Sequence, residues 1–534
     1  MLISRRKVVV LLASSAALGA YNGLAVPAFA RASRENTLRV VWPYEIGILD
    51  PIGVAAQRST WCACNHVYDR LVSFAAKERP DGTRQYDPNV VVPELAESWE
   101  FSSDKKTVTF KIRSGAKFHD GSPVTAEDVR WSIERLLNET YAADVIQVAG
   151  ITTADQLSAP DDQTFVVKLR EPSHYSVSVF SIPFAVIINK KLAVANASSQ
   201  DPWAKEWLKF NTAGGGAFKI ESSTPQQLVL VRNDEWITGP LPKMEQVIFQ
   251  TVPDATTRTA IVERGSADVA IEIPPTVFAG LKKGKALPVA IPMPNQIDYI
   301  AFNSQAAPFN DVRVRQAIAY SLPDEAIFKS VFLGLGTPLF GRTGNVQPGL
   351  FPQPTSFSLN LEKAKALMSD AGLAGGFASE IGYAQEKAAI SGPLALAIKD
   401  AVAKIGIDLQ ISQLPGAQLS ERSANRSLPM LIDNQIAWLS QPDYWFRVLY
   451  TGNGASNAGN YQSKALESML KALPGDASEE EYGKRTAEMA DLVLKEIPLL
   501  PLRQGAYLLA MAKGITGYTY WFHGLPDARS LSRT

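Results

Sequence analysis

The sequence predicts an α/β protein built from more than one domain, and three observations carry that expectation. A chain of 534 residues exceeds what one hydrophobic core organises, and its 46% hydrophobic and 20% charged residues are those of a soluble globular protein. Late in the chain a helical segment, 393–404, stopped by Gly406, feeds directly into an alternating strand at 407–411. Earlier, two short strands are followed by a helix with a complete start signal.

The first 30 residues read as an export signal: Ser4-Arg5-Arg6-Lys7, an apolar run over 8–20, and small residues at Ala28 and Ala30, with cleavage expected after Ala30. The paired arginines resemble a twin-arginine signal, with Val8 where that motif prefers Phe; an ordinary secretory signal is the alternative. Either route delivers the chain to the periplasm. No cysteine ends the apolar run, so no lipid anchor is expected. No later segment approaches the ~18 uninterrupted apolar residues of a membrane span.

Residues 37–41 then form a short apolar strand and 61–74 a helix. Strands at 99–101 and 107–113 are joined by a polar loop, and Val108, Phe110 and Ile112 alternate with polar neighbours, so one face is buried. Gly115 and Asp120-Gly121 mark turns. Thr125 caps the next helix, Glu127 and Asp128 occupy its first turn, and Val124 staples onto Val129. Val129, Ile133, Leu136 and Leu137 keep helical spacing. Strands follow at 165–169 and 186–188, then an amphipathic stretch, 201–210, with Trp203 and Trp207 on one face. Gly214-Gly215-Gly216 lacks the strand-to-helix setting and the Lys-Ser/Thr of a phosphate loop. A strand at 247–251 and a helix at 254–263 complete the first half. A second lobe opens near Gln296 with a strand at 299–303 and a helix capped by Asn310. A helix at 361–371, capped by Asn360 and stopped by Gly372, and a long helix at 479–496 follow. A strand at 507–512 returns to the first lobe.

Several function classes are disfavoured. Fifty-three basic and 53 acidic residues balance to zero, which argues against a nucleic-acid partner. The chain lacks G-x-S-x-G, H-E-x-x-H, a P-loop and the dinucleotide fingerprint, so no enzyme is expected. Cys62, Cys64 and His66 form Cys-x-Cys-x-His, which would share a face in a strand. The expectation is two small buried thiols beside a histidine, with no metal and no cofactor.

Four residue strings carry more. Pro93-Glu94-Leu95-Ala96-Glu97-Ser98-Trp99, Phe110-Lys111-Ile112-Arg113-Ser114-Gly115, Lys117-Phe118-His119-Asp120-Gly121 and Thr125-Ala126-Glu127-Asp128-Val129 resemble the signature of the peptide/nickel/opine (family 5) solute-binding proteins of ABC importers. Pro308-Phe309-Asn310-Asp311 with Val314-Arg315-Gln316-Ala317-Ile318 is similar to the same family. The resemblance implies a two-lobed α/β fold of the periplasmic-binding-protein type (type II, cluster C), with a hinge between lobes and an extra subdomain in lobe I. Lobe I would hold residues 36–290 with 499–534 returning to it, and lobe II residues 296–495. It further implies a soluble, unanchored monomer that binds a small-molecule or peptide-like solute, opine-type conjugates included, and delivers it to permease subunits. An oligosaccharide or neutral conjugate is the alternative ligand; a periplasmic chaperone or hydrolase is the alternative class.

In peptide-binding relatives an aspartate three residues after a tryptophan pairs with the ligand's ammonium. Here Gln441 stands three after Trp438, so either Asp443 takes that role or the ligand has no free ammonium there. Trp438, Tyr444 and Trp445 are candidate aromatic walls, and Tyr44 and Glu45 are cleft candidates on the first lobe.

Overall fold

The computed structural model describes residues 34–534, apart from 54–55, 139, 282–285, 342–345 and 453–455. The expected export signal lies outside the described residues. Two mixed sheets, each the centre of a lobe, organise the chain. In the first, Thr37–Trp42 runs parallel to Gln246–Thr251 on one side and Val269–Ile271 on the other. Gln227–Arg232 and Phe218–Thr224 extend one edge, Ala506–Ala512 and Ala286–Pro292 the other. Leu38, Val40, Val41 and Trp42 are all buried, the pattern of a parallel strand covered on both faces.

In the second sheet Phe377–Ala384 pairs in parallel with Ile407–Leu414 and Met430–Ile436. Gln296–Phe302, Leu499–Gln504 and Thr337–Pro338 continue it through antiparallel pairs. The return to lobe I therefore comes later than the expected residue 499. Leu499–Gln504 pairs with Gln296–Phe302, and Leu500 and Leu502 sit in the second lobe's core, so re-entry starts at Ala506. The chain crosses between lobes at 293–295 and again at Gly505, where the Met293 N–H donates to the Gly505 carbonyl at 3.0 Å.

Four strands, Ala96–Phe101, Thr107–Ile112, Thr164–Lys168 and Leu157–Asp161, make a separate sheet attached to the first lobe. The helix beside it, Ala126–Leu137, starts as its sequence dictates. Thr125 Oγ1 accepts the Asp128 N–H at 3.3 Å and Asp128 Oδ2 accepts the Thr125 N–H at 2.9 Å, a reciprocal cap. Val129, Ile133 and Leu136 are buried on its inner face. Farther on, the expected cap Asn310 yields to Asp311, whose carboxylate accepts the Arg313 N–H at 2.9 Å.

Two local expectations give way to tertiary pairing. The helix expected at 61–74 runs over Arg58–Val67, and Val72–Glu78 is a strand paired with Arg84–Pro93. The turn between them is buried: Asp69 accepts the Trp236 Nε1–H at 2.9 Å and the Thr238 hydroxyl at 2.8 Å, while Arg70 pairs with Glu94 at 3.2 Å. Residues 186–188 form no strand; Val186 only bridges Arg70. Gly214–216 serve close packing. A Cβ on Gly214 would run into the Val67 carbonyl, and one on Gly216 would lie 2.6 Å from the Tyr68 nitrogen. Cys62 and Cys64 are free, buried and helical, and His66 is held between the Cys62 carbonyl and the Ala528 N–H.

Burial first, then the nearby Glu94 charge, pushes the Asp69 carboxyl from its ordinary 3.8 up to about 7. Between these values the unfolded chain releases this proton and the folded chain keeps it. The group's contribution is therefore full below about pH 4 and is lost by about pH 7. Asp69→Asn, which keeps an acceptor for Trp236 and Thr238, is expected to stabilise the protein by roughly 2 kcal/mol at pH 7.5 and by little at pH 4. Thermal unfolding at the two pH values checks it; an equal effect at both contradicts the assignment.

Candidate functional site

In both sheets the parallel strands end on the side where the lobes meet, the position at which open α/β sheets place ligands. On the first lobe these ends carry Tyr44, Thr251 and Glu272, with Thr251 Oγ1 donating to the Tyr44 carbonyl at 2.6 Å. On the second they carry Lys387, Ile436 and Trp438, with Lys387 Nζ held by Asp433 at 2.7 Å and Asn434 at 2.6 Å. Trp438 is half-buried, its ring edge-on to Trp61 at 5.5 Å and to Phe184 at 5.9 Å, both from the first lobe. Gly524 marks the same seam: a Cβ there would lie 3.3 Å from Arg58 and 3.7 Å from Ile436.

The first-lobe floor is a charged cluster that the sequence did not reveal. Glu272 accepts the Tyr44 hydroxyl and pairs with Arg58 Nη2 at 3.1 Å, the two charged side chains being 26% and 28% exposed. Arg58 Nη2 also donates to the Gly524 carbonyl at 2.6 Å, and its Cζ lies 5.7 Å from the Tyr44 ring centroid. Burial holds the Tyr44 phenol well above its ordinary pKa, so it remains a donor. Nothing local flags Arg58 or Glu272: parallel pairing of Thr37–Trp42 with Val269–Ile271 sets Glu272 near Tyr44, and Arg58 reaches it from the start of the helix Arg58–Val67.

Of the other expected site residues, Gln441 and Trp445 line one groove and the rest separate. Glu45 is exposed beside Tyr44. Gln441 is the N-cap residue of Pro442–Leu449 and makes no capping bond; its Oε1 is buried without a partner among the described residues. It borders a groove of about 1230 Å³ with Trp445, Asn89, Asn295 and Phe351, and a neighbouring one of about 690 Å³. Tyr444 and Trp445 are core, 2% and 1% exposed, with Trp445 packed on Phe351. Asp443 is committed inside the protein. It accepts the hydroxyls of Tyr175 and Tyr482, the latter at 2.6 Å, and pairs with Arg447 at 3.1 Å.

That Asp443 network also joins the lobes, because Tyr175 belongs to the first and Asp443 to the second. Beside it a Cβ on Gly475 would collide with the Pro172 carbonyl, so the two chains approach as closely as glycine permits. At the crossings, the Asn295 side chain donates to the Ala437 carbonyl at 3.0 Å and to the Phe522 carbonyl, and accepts the Tyr520 hydroxyl at 3.0 Å. Among the described residues no group of three or more His, Cys, Asp or Glu could hold a metal, and no helix is long and apolar enough to cross a membrane.

Known proteins share this architecture. The chain is 26% identical over 484 residues to a probable D,D-dipeptide-binding periplasmic protein of Escherichia coli K12, covering 88% of this chain and 89% of that protein. A solved dipeptide-binding protein from Pseudoalteromonas sp. SM9913, in complex with Met-Leu, superposes with a TM-score of 0.78 at 21% identity, covering 93% of this chain and 100% of that one. The binding protein AgaA from A. tumefaciens R10, in complex with agropinic acid, superposes with a TM-score of 0.75 at 25% identity, covering 93% and 99%. Residues 90–457 match the model of the bacterial extracellular solute-binding proteins, family 5 Middle, and the chain belongs to that family.

Proposed function

We propose that this protein captures a small peptide-like or amino-acid-derived solute, opine-type conjugates included, between its two lobes and delivers it to the permease of an ABC importer. Lobe I would comprise residues 36–290 and 506–534, lobe II residues 296–504, with 293–295 and Gly505 as the hinge. The protein would work in the periplasm as a soluble monomer, after cleavage behind Ala30, and would bind its solute without chemical change. The carrying observation is the seam itself: Trp438 of one lobe meets Trp61 and Phe184 of the other beside the Arg58–Glu272 pair. An aromatic wall with a few placed charges is what an amphipathic small solute requires. A solute that touches both lobes favours closure by its differential affinity for the closed form.

The test is a thermal-shift panel on the mature protein with dipeptides, D,D-dipeptides, opines, sugars and Ni²⁺. A true ligand raises Tm dose-dependently, by the equivalent of ~2.7 kcal/mol at a hundred times its Kd. Trp438→Ala is expected to weaken the responding ligand by about tenfold or more in calorimetry, as loss of an aromatic anchor does. A panel that leaves Tm unchanged throughout contradicts the reading.

A further inference from the structure

A peptide-like solute carries an ammonium and a carboxylate, and the loop after Met430–Ile436 offers the ammonium no free counter-charge. Gln441 is neutral, and the Asp443 carboxylate is already bound by Tyr175, Tyr482 and Arg447. Lys387, the cation at that end of the second lobe, is shared between Asp433 and Asn434. The first-lobe floor differs. Arg58 Nε is buried without a partner among the described residues, and the guanidinium, 28% exposed at the seam, is held through Nη2 by Glu272 and the Gly524 carbonyl. Glu272 presents its carboxylate next to it, open to solvent over a quarter of its side chain.

Glu272 is also held where a glutamate rarely rests. Its φ is +54°, a left-handed conformation that glycine adopts freely and side-chain-bearing residues do not. The Arg258 guanidinium supports this backbone by donating to the carbonyls of Val252 and Pro253 at 2.7 Å, Ile271 at 3.2 Å and Glu272 at 2.8 Å. Strain of this kind persists where the surrounding structure over-determines a conformation, and it clusters at binding sites. Here it aims the carboxylate at Arg58 and Tyr44 at the carboxyl ends of the parallel strands.

We propose that Arg58 and Glu272 form the subsite for the zwitterionic head of an α-amino acid, the carboxylate lying on the Arg58 guanidinium and the ammonium on the Glu272 carboxylate. This rests on the solute-capture reading above and gives that solute a head group. An adjacent cation and anion match an adjacent anion and cation, so the bound state carries no net charge across the seam. A solute with only one of the two groups leaves the other half of the pair facing nothing or a like charge, which a desolvated site penalises. The counter-ion for the ammonium thus comes from the first lobe.

Calorimetry with methionine, N-acetylmethionine and methionine amide, in the wild type and in Glu272→Gln and Arg58→Gln, tests this. The wild type is expected to prefer methionine over each blocked form by tenfold or more. Glu272→Gln should abolish most of the preference over the N-acetyl form and keep that over the amide; Arg58→Gln should do the reverse. This crossed pattern separates recognition from a structural role, which would weaken all three ligands alike. If either variant fails to fold, Glu272→Asp and Arg58→Lys replace them and should shift the same ratios in part. Equal binding of methionine and both blocked forms overturns the subsite. So does a thermal-shift response confined to a sugar, and in that case solute capture stands while this assignment falls.

Discussion

Replacing Arg135 by methionine is expected to destabilise the protein by about 3–5 kcal/mol, the effect of leaving one member of a buried ion pair behind. Arg135 Nη1 and Nη2 meet Asp50 Oδ1 and Oδ2 at 3.0 and 2.6 Å, and both side chains are sealed, at 1% and 0% exposure. The arginine also donates from Nε to the Trp203 carbonyl at 3.1 Å, so one side chain ties three segments together. Asp50 anchors residues 44–52, the segment that carries Tyr44 to the floor of the seam, and also accepts the Ile52 N–H at 3.2 Å. Removing the cation strands the Asp50 charge in the core and loosens that segment. Arg135→Met with Asp50→Leu removes both charges and should recover most of the stability. Urea unfolding at neutral pH measures both variants. A loss under about 1 kcal/mol for the single substitution would show that water reaches the pair and would refute its role as an anchor.

Asp443→Ala is expected to cost about 3 kcal/mol or more and to weaken solute binding by about an order of magnitude. The stability term follows from orphaning the buried Tyr175 hydroxyl and the Tyr482 hydroxyl together with the Arg447 contact. The binding term is separate. Tyr175 reaches Asp443 from the other lobe, so its loss depopulates the closed form, and apparent affinity falls by the fraction of closed molecules lost. Tyr175→Phe removes only the bond that crosses between lobes and should reproduce most of the affinity loss at a smaller stability cost. Calorimetric affinity and the radius of gyration of the ligand-free protein distinguish the two. Unchanged values of both for Tyr175→Phe would mean that the contact does not bias closure.

The helix Ala126–Leu137 is legible because all its signals lie within one turn: Thr125 and Asp128 cap each other, and the apolar spacing marks the inner face. Trp438 is likewise visible as a large aromatic beside the polar run 440–443. Its neighbours there mislead. Asp443, Tyr444 and Trp445 have the composition of a binding loop, yet Pro442 starts a helix that turns them into the core. The helix expected at 61–74 fails for a related reason. Its pattern is helical throughout, but the buried partners of Asp69 and Arg70 lie at Trp236, Thr238 and Glu94, beyond any local window.

Local chemistry thus sufficed for the caps, the turns, the alternating strands and the family signature, since each depends on residues a few positions apart. The pairing order of the strands was beyond its reach, and with it the lobe to which Leu499–Gln504 belongs and the meeting of Arg58 with Glu272. Sheet order is set by which distant apolar surfaces bury one another, and that balance is struck over the whole core rather than within any stretch of chain.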